Sequence, residues 1–114
     1  MCVVLSSQPK AAEWGIFMKE TSNAKENIVR KHILFFGRVQ GVGFRYCSIN
    51  KAKNIGLTGW VKNLYDGSVE MEVQGMKSDI ELLIQYLNQE RYIRIERMEI
   101  EDIELKNEID FFLY

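Results

Sequence analysis

The sequence predicts one α+β domain whose elements run strand, helix, strand, strand, helix, strand, and three stretches carry that prediction. "SVEMEVQ" alternates apolar and polar residues directly after a "YDG" turn, so it forms the second arm of a β-hairpin. Ile80, Leu83, Ile84 and Leu87 fall at the i, i+3, i+4, i+7 spacing of one helix face. "HILFFG" is a short apolar run, with branched and aromatic side chains, that leads into a glycine-bearing loop and then a second helical pattern.

The totals fit such a domain. With 114 residues, 46% of them hydrophobic and one proline, the chain is long enough to bury a core of its own. Its formal net charge of −1 supplies no field that would draw a polyanion, so affinity for phosphate must come from a few local donors and a general nucleic-acid binder is disfavoured. Cys2 and Cys47 are too far apart for a metal-ligand pair and too few for a disulfide framework. The apolar run in "MCVVLSS" is too short for a signal segment, and no later run has the length of a membrane span, so a cytoplasmic protein with reduced thiols is expected.

Residues 1–27 are polar and small apart from an apolar island at Trp14 to Met18, and are expected to be a loosely ordered extension with Trp14 and Phe17 resting on the domain. A partner-binding arm is the alternative, and Met18 is an internal candidate start. The domain proper spans 28–114. After the first strand and its loop, Phe44, Cys47, Ala52 and Ile55 fit one helix face, with Gly56 placed for a left-handed C-terminal cap. Leu57 to Asn63 and "SVEMEVQ" form the hairpin, turned by Asp66 and Gly67. Ser78-Asp79-Ile80-Glu81 has the capping-box spacing for the second helix, which should end near Gln89. "YIRIERMEIEDIEL" alternates as a strand but slips phase between Ile95 and Met98 and again after Ile100, predicting a bulge or break; "FFLY" adds a short extra strand. The acidic alternation at Glu96, Glu99, Glu101 and Glu104 reads as the wet side of an edge strand. In this order the elements make a split-βαβ, ferredoxin-like sandwich: an antiparallel sheet with two helices on one face.

That topology brings two distant residues together. Right-handed crossovers make the first and second strands parallel, with the third between them in the opposite direction. A helix from Arg45 to Asn54 runs roughly 15 Å away and the strand to Asn63 roughly 23 Å back, so Arg45 and Asn63 can meet at one edge of the sheet. The loop "FGRVQGVGFRY" ends at a helix N-terminus, where amide groups lack partners and glycine keeps Cβ atoms out of the way of an anion. Arg45 adds a planar cationic fork suited to phosphate oxygens. The Rossmann fingerprint is excluded because Tyr46 stands where its last small residue belongs, and no Gly-Lys-Ser/Thr follows to make a Walker loop. A tight turn with a surface arginine would account for the glycines equally well.

"GRVQGVGFR" and "GLTGWVKNLYDGSVEMEVQG" resemble the two signature segments of the acylphosphatases, and the resemblance extends over residues 30–114. It implies a ferredoxin-like fold and hydrolysis of the carboxyl–phosphate bond of small acyl phosphates to carboxylate and inorganic phosphate, with no metal and no organic cofactor. Carried over by position, Arg45 binds the phosphate and Asn63 holds the attacking water, while the backbone amides of Gly37, Arg38, Val39, Gln40, Gly41, Val42, Gly43 and Phe44 form the cradle. The leading extension is unusual for the family, and "NQERYIR" lacks the Gly-Pro turn often found before the fourth strand.

The chemistry is consistent with such a spare site. A carboxylate is a good leaving group that needs no general acid, and phosphoryl transfer depends mainly on positioning and charge stabilisation. His32, at the far end of the first strand, reads as structural, and Cys47 as packing rather than a nucleophile. Arg38 either strengthens the local field or is solvated at the strand end. A non-catalytic anion-binding or regulatory module is the competing reading, since ferredoxin-like domains host many functions. An RNA-recognition domain is disfavoured because "SVEMEVQ" lacks basic and aromatic stacking positions. The expected partners are a small acyl phosphate and the phosphate product, with no nucleic acid, no membrane, and the protein acting as a monomer.

Overall fold

The computed structural model describes residues 28–114, so the expectations for Cys2, Trp14, Phe17 and Met18 lie outside the described residues. Within them the chain forms β1 (Ile28–Arg38), α1 (Phe44–Asn54), β2 (Thr58–Asn63), β3 (Val69–Met76), α2 (Lys77–Gln89), β4 (Arg94–Ile103) and β5 (Phe111–Leu113). The sheet order is β4-β1-β3-β2-β5, with β3 antiparallel to both β1 and β2, as the crossover rule requires. The fold is the ferredoxin-like α+β sandwich.

Alternation decides the layers. Ile33 and Phe35 of β1, Val61 of β2, and Val69, Met71 and Val73 of β3 are buried beneath the helices. Ala52 and Phe44 of α1 and Ile80, Leu83 and Leu87 of α2 close the core from the other side. Burying each such large side chain contributes about 1.5–3 kcal/mol, which makes this the main cohesive term. Phe44, the first residue of α1, packs its ring 4.8 Å from that of Phe35. That pair anchors the start of the helix on the sheet and pinches the connecting loop between two fixed points.

Several expectations are corrected in detail. The sheet is mixed rather than wholly antiparallel, because β5 pairs parallel with β2, Gly59 to Phe111 through Val61 to Leu113. A chain leaving β4 must reverse direction to return, and β2 runs opposite to β4, so the returning strand lies parallel to β2. The capping box is not used: α2 starts at Lys77 straight from the end of β3, with Met76 at the N-cap and no side-chain cap bond. Leaving no loop between strand and helix puts Ser78 inside the first turn.

In β4 the phase slip between Ile95 and Met98 is a true irregularity, where the register with β1 shifts between Phe36 and Gly37. The second slip is not a break, since the strand continues through Ile100 to Ile103. Ile100 pairs with Ile33 but stays exposed on β4, which is an edge strand. On the same edge Glu96, Glu99 and Glu101 are exposed.

Candidate functional site

The site is built where β1 ends and α1 begins. Gly41 and Gly43 take left-handed φ values of 74° and 82°, and a Cβ on either would meet nothing within 4 Å. These glycines are therefore required by the turn, not by crowding, and leave a bare floor. Gly43 is also the N-cap of α1, and among the described residues no loop, turn or cap carbonyl accepts from the amides of residues 40–46; the next amide, of Cys47, donates to Gly43 O at 2.9 Å. An unpaired run of N–H groups at the positive end of a helix is an anion-binding arrangement.

A cleft of about 400 Å³ opens over this turn, lined by Val39, Gly41, Gly43 and Phe44 on one side and by Arg45, Tyr46, Asn63 and Leu113 around it. Arg45 and Asn63 are thus brought together as the topology predicts. Among the described residues, Arg45 is the only charged side chain in the lining. Its Nη1 donates to the main-chain oxygen of Tyr114 at 2.8 Å, which fixes the guanidinium and leaves its other N–H groups free to bind an anion. Asn63 ends β2, and its Oδ1 is buried with no hydrogen-bond partner among the described residues. A buried amide oxygen without a partner costs about 1–3 kcal/mol.

Gly37 and Arg38 do not line the cleft. Both lie within β1 and pair with Ile95 and Arg94 of β4. A Cβ on Gly37 would stand 2.3 Å from Arg94 O, so this glycine permits close strand approach at the bulge. Arg38 is exposed.

Gln40 has a side-chain task that the sequence does not disclose. Its Nε2 donates to Leu64 O at 2.5 Å and to Ser68 O at 2.8 Å, stitching the glycine turn to the hairpin that carries Asn63. The hairpin is itself fixed by Asp66, whose Oδ1 accepts from the Ser68 hydroxyl and from Ser68 N at 2.9 Å. Those bonds, the hydroxyl's first, hold the Asp66 carboxyl below the usual aspartate range.

The acylphosphatase family model matches residues 31–113, which contain every residue that lines the cleft. The chain belongs to the acylphosphatase family. An acylphosphatase of Bifidobacterium longum is 51% identical over 61 residues, which are 54% of this chain and 63% of that protein, so the match spans less than two thirds of that relative. One from Geobacillus kaustophilus is 44% identical over 80 residues, 69% of this chain and 85% of the relative. Among solved structures, an acylphosphatase from Coxiella burnetii superposes with a TM-score of 0.72 at 33% identity, covering 80% of this chain and 97% of that one.

Neither His32 nor Cys47 lines the cleft. His32 Nε2 lies 2.8 Å from Glu70 Oε2 on the sheet face opposite the helices. Cys47 is half-buried on α1, where burial first and then neighbouring Glu90 raise its thiol pKa, the opposite of what a nucleophile needs. Among the described residues no group of three or more His, Cys, Asp or Glu is placed to hold a metal ion. No helix there is long and apolar enough to cross a membrane.

Proposed function

We propose that the protein hydrolyses small acyl phosphates to a carboxylate and inorganic phosphate, with Arg45 and the turn amides binding phosphate and Asn63 orienting water. The observation that carries this reading is the placement of Asn63, whose Oδ1 has no hydrogen-bond partner among the described residues, in the lining of the same cleft as Arg45 and the α1 N-terminus. A carboxamide oxygen accepts a hydrogen bond from water and aims its lone pair, though it is too weak a base to remove the proton. The water oxygen attacks phosphorus, the P–O bond to the acyl group breaks, and its electron pair leaves on the carboxylate. The proton passes to phosphate or solvent.

The turn amides and Arg45 neutralise charge on the equatorial oxygens throughout, where preorganised donors act without reorganisation. Of the cradle residues, Val39, Gly41, Gly43 and Phe44 line the cleft, which supports this reading of the turn, whereas Gly37 and Arg38 lie in β1. A phosphomonoester, whose alkoxide is a much worse leaving group than a carboxylate, is expected to be a poor substrate. The test is release of inorganic phosphate from acetyl phosphate and benzoyl phosphate by purified protein in EDTA. Turnover of acyl phosphates with none of an alkyl phosphomonoester is expected. Phosphate binding without any turnover would instead favour a non-catalytic anion-binding module.

A further inference from the structure

Arg30 is the only buried charged residue among those described, with 0% of its surface exposed. It projects from β1 on the face away from the helices, directly opposite Gln74 of β3. Its Nε donates to Glu72 Oε1 at 2.9 Å and its Nη1 to Gln74 Oε1 at 3.1 Å. Two further charge contacts, without aligned hydrogen bonds, join Nη2 to Glu72 Oε1 at 2.8 Å and Nη1 to Glu108 Oε1 at 3.0 Å. Glu108 belongs to the crossover, residues 104–110, which carries the chain from β4 at one sheet edge to β5 at the other.

The crossover is tied at a second point. Gln74 accepts from Lys106 N at 2.8 Å and donates to Lys106 O at 3.0 Å, while Lys106 Nζ reaches Glu72 Oε1 at 2.9 Å. A buried ion cluster of this kind gains little over apolar packing because desolvation offsets its attraction, but its directed bonds fix geometry. What lies downstream gives that geometry a use. Gly59 N donates to Asp110 O at 3.0 Å, β5 pairs with β2, Tyr114 N donates to Val61 O at 2.9 Å, and Tyr114 O accepts from Arg45 Nη1 at 2.8 Å. A strand of three residues holds its own register weakly, so its placement depends on the connection that delivers it.

We propose that Arg30 is a positioning residue for the phosphate site: by clamping the β4–β5 crossover to β3 it fixes Tyr114, whose main-chain oxygen holds Arg45 in place. The inference rests on the reading that Arg45 binds phosphate.

The experiment is calorimetric titration of inorganic phosphate into wild type, Arg30→Gln, a chain ending at Leu113, the combination of the two, and Arg45→Ala, each verified as folded by circular dichroism. Arg30→Gln should weaken phosphate binding roughly three- to tenfold. In the chain lacking Tyr114 the same substitution should change it less than about twofold, because the link to Arg45 is already cut. A purely structural role would give equal losses in both backgrounds, or none in a folded Arg30→Gln protein, and either result overturns the clamp while leaving the functional reading intact. If Arg30→Gln does not fold, Glu108→Gln, which keeps the Arg30–Glu72 pair, should show a smaller loss with the same dependence on Tyr114; its absence overturns the proposal. Phosphate affinity unchanged in Arg45→Ala would remove both the clamp and the reading beneath it.

Discussion

Replacing Gln40 by alanine isolates the stitch between the glycine turn and the hairpin. The substitution removes two hydrogen bonds, to Leu64 O and Ser68 O. Neither carbonyl is left orphaned, because Leu64 O still accepts from Gly67 N at 3.2 Å and Ser68 O from Leu64 N at 2.9 Å. The stability loss therefore lies at the lower end for such bonds, about 1–2 kcal/mol in total. At about 4–8 °C per kcal/mol for a domain of this size, Tm falls by about 4–16 °C. The functional loss should be larger in proportion: with the turn free to drift from Asn63, a misplacement near 1 Å costs up to about a hundredfold in rate. A fall of about tenfold to a hundredfold in kcat/KM for benzoyl phosphate, measured well below Tm, is expected. Wild-type melting together with wild-type kcat/KM would refute the idea that the stitch sets the distance between the phosphate turn and Asn63.

Other perturbations test separate parts of the account. Gly37→Ala forces a Cβ toward Arg94 O at 2.3 Å in a left-handed backbone, and should cost about 2–4 kcal/mol in urea unfolding. Burial pushes the Glu72 carboxyl up, but bonds from Lys106 and Arg30 outweigh it and set the folded pKa below the ordinary value of 4.5. Stability from this group is therefore complete above about pH 4.5 and is lost as pH falls through the lower folded value, so Glu72→Gln should flatten part of the acid limb of Tm against pH. The raised pKa of Cys47 predicts slow alkylation by iodoacetamide at pH 7, accelerating only when the protein is unfolded; rapid labelling of the native Cys47 would contradict its half-buried placement beside Glu90.

What the sequence made legible was local periodicity and its geometric consequences. The alternation of Val69, Met71 and Val73 and the spacing of Ile80, Leu83 and Leu87 each encode a buried face directly, and all six are core residues. Arg45 and Asn63 could be placed together from topology alone, because a right-handed crossover leaves little choice. The hidden features are long-range. Nothing near Gln40 indicates that its amide spans to Leu64 and Ser68, and nothing near Arg30 indicates partners at Glu72 and Glu108. Gly37 looked like one more loop glycine, whereas the close approach that requires it comes from Arg94, far along the chain. Ser78 had the right spacing for a cap, but spacing does not reveal that β3 runs into α2 without a loop.

The central claim is a division of labour in one cleft, and one variant addresses it most directly. Asn63→Ala should be compared with wild type, in EDTA, for benzoyl phosphate turnover and for inorganic phosphate affinity on the same preparations. The account predicts a loss of turnover of about a hundredfold or more, with phosphate affinity retained within about twofold, because the water is misplaced while the cradle is intact. A folded Asn63→Ala protein that turns over benzoyl phosphate at the wild-type rate would contradict it.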